Sequence, residues 1–94
     1  MSAVIKPTVG RKVWYRPHDL DQSGPVPMSV AGPADNPQPL DATIIAVWSE
    51  RCVNVLVTDA AGRHFPVMSV TLVQEGDPKP EHGRYVEWPT KVPA

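Results

Sequence analysis

Asp41-Ala-Thr-Ile-Ile-Ala-Val-Trp-Ser49, the break Glu50-Arg51, and Cys52-Val-Asn-Val-Leu-Val-Thr-Asp59 decide the fold of this 94-residue chain. The first stretch is apolar on both faces, the pattern of a long, bent strand shared between two packed sheets. A helix is the competing reading. Thr43, Ile44, Ile45 and Val47 make it the poorer one, because branching at Cβ restricts side chains against a helical turn. The second stretch alternates, with Val53, Val55 and Val57 on one side and Asn54 and Thr58 on the other. Glu50-Arg51 is therefore a tight turn between strands. Asp59-Ala-Ala-Gly62 is a second hairpin signal, with Gly62 supplying the left-handed position that closes a type I turn plus bulge.

Composition extends the β reading to the whole chain. Valine occurs fourteen times against four leucines and three isoleucines. Twelve prolines and six glycines leave residues 40–61 as the longest stretch free of both, so long helices are nearly excluded. A 41% apolar fraction with 20% charged residues is too apolar for a disordered chain, and the length suits a single domain over residues 1–94. A net charge of −1 and a pI near 6.2 lack the positive balance of a dedicated duplex-DNA binder. No apolar run approaches the roughly 20 residues of a membrane helix. The N-terminus reads as having no signal peptide, and the single Cys52 forbids an internal disulfide framework and suits a reducing cytoplasm.

Outward from the centre, Thr8-Val-Gly-Arg-Lys-Val-Trp-Tyr-Arg16 alternates as a first strand. Val9, Arg11, Val13 and Tyr15 share one face; Gly10, Lys12, Trp14 and Arg16 share the other. Residues 18–39 are Pro-rich and without period, and read as an extended, mobile excursion; a short Gly/Ser linker in place of residues 22–36 is expected to leave the barrel folded. Residues 63–68 form a fourth strand that is an edge or bulges at Pro66, since proline cannot donate to a ladder. Residues 69–74 suggest one helical turn and a short strand carrying Leu72. Residues 75–83 are loop, 84–88 a closing strand, and 89–94 a tail. The order predicts an all-β, small SH3-like (Tudor-like) barrel of about five strands at residues 8–17 and 40–74, with a long Pro-rich loop after the first strand. An open meander or OB-like barrel is the alternative. Val13, Val53, Val55 and Val57 are expected to be nearly fully buried, and Tyr15 partly so.

Three segments carry a resemblance: Lys6-Pro-Thr-Val-Gly-Arg-Lys-Val-Trp-Tyr15, Val47-Trp-Ser-Glu-Arg-Cys-Val-Asn-Val55 and Tyr85-Val-Glu-Trp88. Together they resemble a family of small uncharacterised proteins of tailed bacteriophages and prophages. The resemblance covers most of the chain apart from the Pro-rich excursion. It implies phage origin and synthesis in a host bacterial cytoplasm, with incorporation into a virion as a further expectation. It carries no activity, cofactor or residue role.

Catalysis is not expected. His18, His64 and His82 fall in a loop, a hairpin strand and a tail, and nothing places a histidine beside Cys52 as base. No Gly-rich phosphate loop, G-x-S-x-G or H-E-x-x-H occurs. His18-Asp-Leu-Asp21 could ligate a metal only if folded back, and no second cluster supplies the remaining ligands. No cofactor is implied. An aromatic cage would draw on Trp14, Tyr15, Trp48, Phe65, Tyr85 and Trp88, several of which the core must claim.

Charge is unevenly placed. Residues 1–16 carry +4, residues 17–41 carry −4 and the remainder −1. Lys12, Trp14 and Arg16 alternate onto one strand face, a cation–aromatic–cation row of the kind that stacks a base and holds its phosphates. The competing reading is a solvated exterior whose charge the following acidic segment neutralises. The chain is thus expected to be a non-enzymatic interaction or structural module that binds a protein or itself and no membrane. Weak single-stranded nucleic-acid binding through Lys12, Trp14 and Arg16 is the alternative.

Overall fold

Val13, Tyr15, Val53, Val55 and Val57 are all fully buried, so the alternation of both stretches is the alternation of a barrel wall. The computed structural model describes residues 4–17, 27–33, 37–80 and 83–89. Among these residues there are five strands and no helix: β1 (Lys12–Arg16), β2 (Leu40–Ser49), β3 (Cys52–Thr58), β4 (His64–Val73) and β5 (Tyr85–Glu87). They close into a barrel in the order β1-β2-β3-β4-β5. This is the expected small all-β barrel of SH3-like kind. The Pro-rich excursion lies largely outside the described residues, in 18–26 and 34–36.

The core is a set of cross-strand rows. Val13, Ala42, Val57 and Phe65 form one, and Ile44, Val55 and Val67 another. Tyr15 faces Leu40 on β2 and Val86 on β5, and Val86 in turn faces Leu72 on β4. β5 runs antiparallel to β1 and parallel to β4, so this three-residue strand closes the sheet. Tyr15 is buried completely rather than partly, because it is the inward residue at that closure.

Several expectations need correction. The first strand starts at Lys12; Thr8, Val9 and Gly10 form a turn instead, with Gly10 at φ 95° and Arg11 N–H donating to Thr8 C=O (3.3 Å). Val9 is therefore exposed. The helical turn at 69–74 is absent. β4 runs through it without a break, and a bulge at Met68 and Ser69 absorbs the irregular alternation, Ser69 taking φ 50°. Pro66 sits on the edge part of β4, because β5 pairs only with Thr71, Leu72 and Val73. The bond from Asp59 N–H to Arg63 C=O (2.9 Å) sets the phase of the ladder. By alternation from it, the nitrogen of Pro66 points away from β3, where no donor is required.

The excursion is not wholly solvated either. Met28 is buried in the core. It is held there by Asp59, whose carboxylate accepts from Ser29 N–H (2.9 Å), Ala61 N–H (3.0 Å), Arg63 N–H (2.9 Å) and Arg63 Nε (3.2 Å). Ala60 N–H donates to Ser29 C=O and Arg63 to Pro27 C=O (2.9 and 2.6 Å). Replacing residues 22–36 would thus remove a core side chain as well as a loop.

Two stability measurements check this packing. Val55→Ala is expected to lower the unfolding free energy in urea by about 2–3 kcal/mol, from lost burial plus a residual cavity. Met28→Ala is expected to cost about 2 kcal/mol, whereas an unanchored excursion would leave the midpoint unchanged.

Candidate functional site

The first-strand row lies where alternation puts it, on the outer face of β1. Its cations are already matched. Lys12 Nζ donates to Asp41 Oδ2 (3.0 Å) and Thr43 Oγ1 (2.8 Å), both on β2. Arg16 Nε meets Glu87 Oε2 on β5 at 2.7 Å, and a second guanidinium nitrogen donates to Pro37 C=O (3.2 Å). Glu87 also receives Lys79 at 3.2 Å. Burial alone would raise the Glu87 pKa, but the Arg16 and Lys79 hydrogen bonds and charges outweigh it and hold the carboxyl below its ordinary range. Trp14 stands half-buried between two neutralised cations.

A groove of about 630 Å³ opens beside the closing strand, lined by Ile5, Val73, Gln74, Asp77, Glu87 and Trp88 among others. Most of its polar side chains are taken up by the fold. Gln74 Oε1 accepts from Ile5 N–H (3.0 Å) and Trp88 Nε1 (2.9 Å), while Nε2 donates to Ile5 C=O (3.0 Å) and Glu50 C=O (2.8 Å). All four valences of this buried carboxamide are filled. Asp77 pairs with Arg51 through 2.8 and 3.3 Å contacts and accepts Gln74 N–H (3.1 Å). The Arg51 hydrogen bond, with that backbone donor, draws the Asp77 carboxyl down, and Asp77 reciprocally raises Arg51. Arg11 lies over the Trp88 ring at 5.0 Å. The groove is a seam that ties the N-terminal segment, the β2–β3 turn and β5 together.

His64 Nδ1 lies 3.1 Å from Thr58 Oγ1, and among the described residues the half-buried Cys52 has no hydrogen bond to a histidine. No group of three potential metal ligands occurs among the described residues. His18, the whole His18-Asp-Leu-Asp21 stretch and His82 fall outside them.

The outer face of β2, β3 and β4 carries exposed large apolar side chains. Ile45 and Trp48 are each an extra residue in a β2 bulge, and Met68 belongs to the bulge on β4. Bulges re-aim side chains, and here all three emerge into solvent. Trp48 is 64% exposed and Met68 55%. Leu56 and Pro66 are exposed register partners on the same face. Trp48 is nonetheless fixed, its Nε1 donating to Asn54 Oδ1 (2.9 Å). The same oxygen accepts Ser69 N–H (2.7 Å), holding the positive-φ residue of the β4 bulge. Sequence reasoning placed Trp48 in its strand and Asn54 opposite the valines, but not the clamp between them. A polar Asn54 inside an otherwise apolar Val53-to-Val57 run, facing the broken alternation at Met68 and Ser69, was its available signal.

Fold and site thus define a closed five-stranded barrel that presents an apolar, polar-clamped sheet face. No protein-family model matches the chain, and no curated protein or solved structure is significantly similar to it. No helix among the described residues is long and apolar enough to cross a membrane.

Acid titration checks the electrostatics. The Asp59 carboxyl is drawn below its ordinary range, first by the Ser29 N–H and then by Arg63 and Ala61. A depressed folded-state pKa contributes stability that is complete above the unfolded-state value of about 3.9 and is lost as pH falls through the lower folded value. Asp59→Asn is therefore expected to lower stability at neutral pH and to flatten the acid limb below about pH 4. An unchanged acid limb would show that the Asp59 contacts do not persist in solution.

Proposed function

We propose that this chain is a non-enzymatic, phage-encoded interaction module that acts in the bacterial cytoplasm or becomes part of a particle, and that it docks on protein through its Trp48 face. The supporting observation is the clamp itself. An indole largely open to water, yet hydrogen-bonded to Asn54 in an uncharged setting, is a pre-oriented aromatic anchor of the kind that dominates protein interfaces. Ser69 strengthens the reading, because a non-glycine residue at positive φ is strained and Asn54 holds it in place. Strain of that sort accumulates at functional surfaces.

The Lys12, Trp14 and Arg16 face supports a polyanion less well. Binding phosphates there would first require displacing Asp41 and Glu87 from the two cations. The Arg16–Glu87 pair is the more protected of the two; the Lys12–Asp41 pair is exposed and individually weak.

Capture from phage-infected cells with immobilised protein, with and without nuclease, separates the classes. The expected result is a partner that survives nuclease and is lost with Trp48→Ala but kept with Trp14→Ala. Direct titration with single-stranded oligonucleotides is expected to show no binding at about 150 mM salt. Micromolar affinity that falls steeply with salt, and that disappears with Trp14→Ala, would replace the protein-docking reading with the nucleic-acid one.

A further inference from the structure

We infer that residues 4–7 form a strap that locks the closing strand. Seated on Gln74, the strap holds β5 in place through Trp88; lifted, it lets β5 open while β2, β3 and β4 stay folded. The inference is independent of the Trp48 face.

The strap is lightly attached. Val4 is 42% exposed and Ile5 37%, and Pro7 is its buried residue. Ile5 is held by its main chain: its N–H donates to Gln74 Oε1 (3.0 Å) and its C=O accepts from Gln74 Nε2 (3.0 Å). A neighbouring strand would offer the same donor and acceptor, so the attachment is indifferent to the side chain at position 5. Gly10 N–H donates to Ile44 C=O (2.8 Å) and ties the far end to β2. The strap therefore pivots between Pro7 and Gly10.

Gln74, only 2% exposed, stands between this strap and the closure. The Oε1 atom that accepts Ile5 N–H also accepts Trp88 Nε1 (2.9 Å). Hydrogen bonds that share a buried group reinforce one another, and a half-filled buried carboxamide is costly. Lifting Ile5 takes one bond from Oε1 and one from Nε2, beside a groove of about 630 Å³ that gives the side chain room to turn and water room to enter. Trp88 then loses its fixed acceptor. Arg11, just past the pivot, lies over the same indole at 5.0 Å, so both ends of the N-terminal segment bear on Trp88. With three residues, β5 is the strand least able to stand without such help. Its opening bares the main-chain edges of Trp14, Tyr15 and Arg16 on β1 and of Thr71, Leu72 and Val73 on β4. Whatever engages residues 4–7 from outside is thereby transmitted to the seam of the barrel.

Amide hydrogen exchange on the full chain, followed by NMR, tests the coupling. Ile5→Pro removes the N–H that Gln74 accepts. The amides of Tyr85, Val86 and Glu87 are expected to exchange roughly tenfold faster, as loss of about one net hydrogen bond would produce, with Val53, Val55 and Val57 unchanged. Ile5→Ala keeps both main-chain groups and should leave β5 protected. Trp88→Phe keeps an aromatic ring without the N–H, and by reciprocity should speed exchange at the Ile5 amide. Ile5→Pro added to Trp88→Phe should then accelerate β5 no further, since both act on one link. If Ile5→Pro does not fold, the response of the Ile5 amide to Trp88→Phe decides the matter alone. Protection of β5 that ignores Ile5→Pro, or effects of the two substitutions that simply add, would overturn the strap. So would equal acceleration throughout the barrel, which marks a general loss of stability instead of a local opening.

Discussion

Closure by β5 is the constraint on which the rest of this molecule depends. Three residues, Tyr85–Glu87, bridge β1 and β4, and Val86 is buried between Tyr15 and Leu72. Without that bridge the valine-rich sheet would be an open meander with apolar edges. So short a strand cannot hold itself, and the carboxamide of Gln74 provides the fastening. It draws Trp88, just beyond β5, toward the N-terminal segment at Ile5 and the β2–β3 turn at Glu50. Glu87 adds a second fastening by joining Arg16 on β1 to Lys79 in the preceding loop. Closure is thus enforced by polar groups placed around an apolar seal.

Much of this architecture is legible in the sequence, for a physical reason. β2, β3 and the Asp59 hairpin are specified by local signals: β-branched alternation, a two-residue break, and a glycine at the left-handed position, here φ 85° at Gly62. The parts that are not legible depend on partners far along the chain. Met28 lies in a segment without period, and contacts about thirty residues along the chain bring it to the core, among them the Ser29 N–H on the carboxylate of Asp59. The continuity of β4 is hidden because the extra residue at its bulge scrambles alternation, which mimics a turn of helix. The row of Lys12, Trp14 and Arg16 is correctly placed on one face. That its cations meet Asp41 and Glu87 follows from register, which alternation within one strand does not reveal.

The candidate surface shows the same division. A tryptophan in a strand is visible from sequence, but its direction is not, since one inserted residue turns a side chain from one face to the other. Two bulges on β2 and one on β4 make the difference here. They collect apolar residues on the exterior that a regular ladder would have divided between the faces. Asn54, between them, converts that irregularity into a fixed geometry. What looks like a lapse in patterning is, on the docking reading, the patterning of a second apolar layer.

Pro66 gives the exterior a further property. Its nitrogen faces the unpaired side of β4 and offers no hydrogen to an incoming strand, so the ladder cannot be extended there in register. Growth through a sheet edge has no natural end, because each added strand exposes a fresh edge. A barrel whose β4 edge is blocked at Pro66 is therefore biased against growth by strand addition there, the route by which sheets lengthen into fibres.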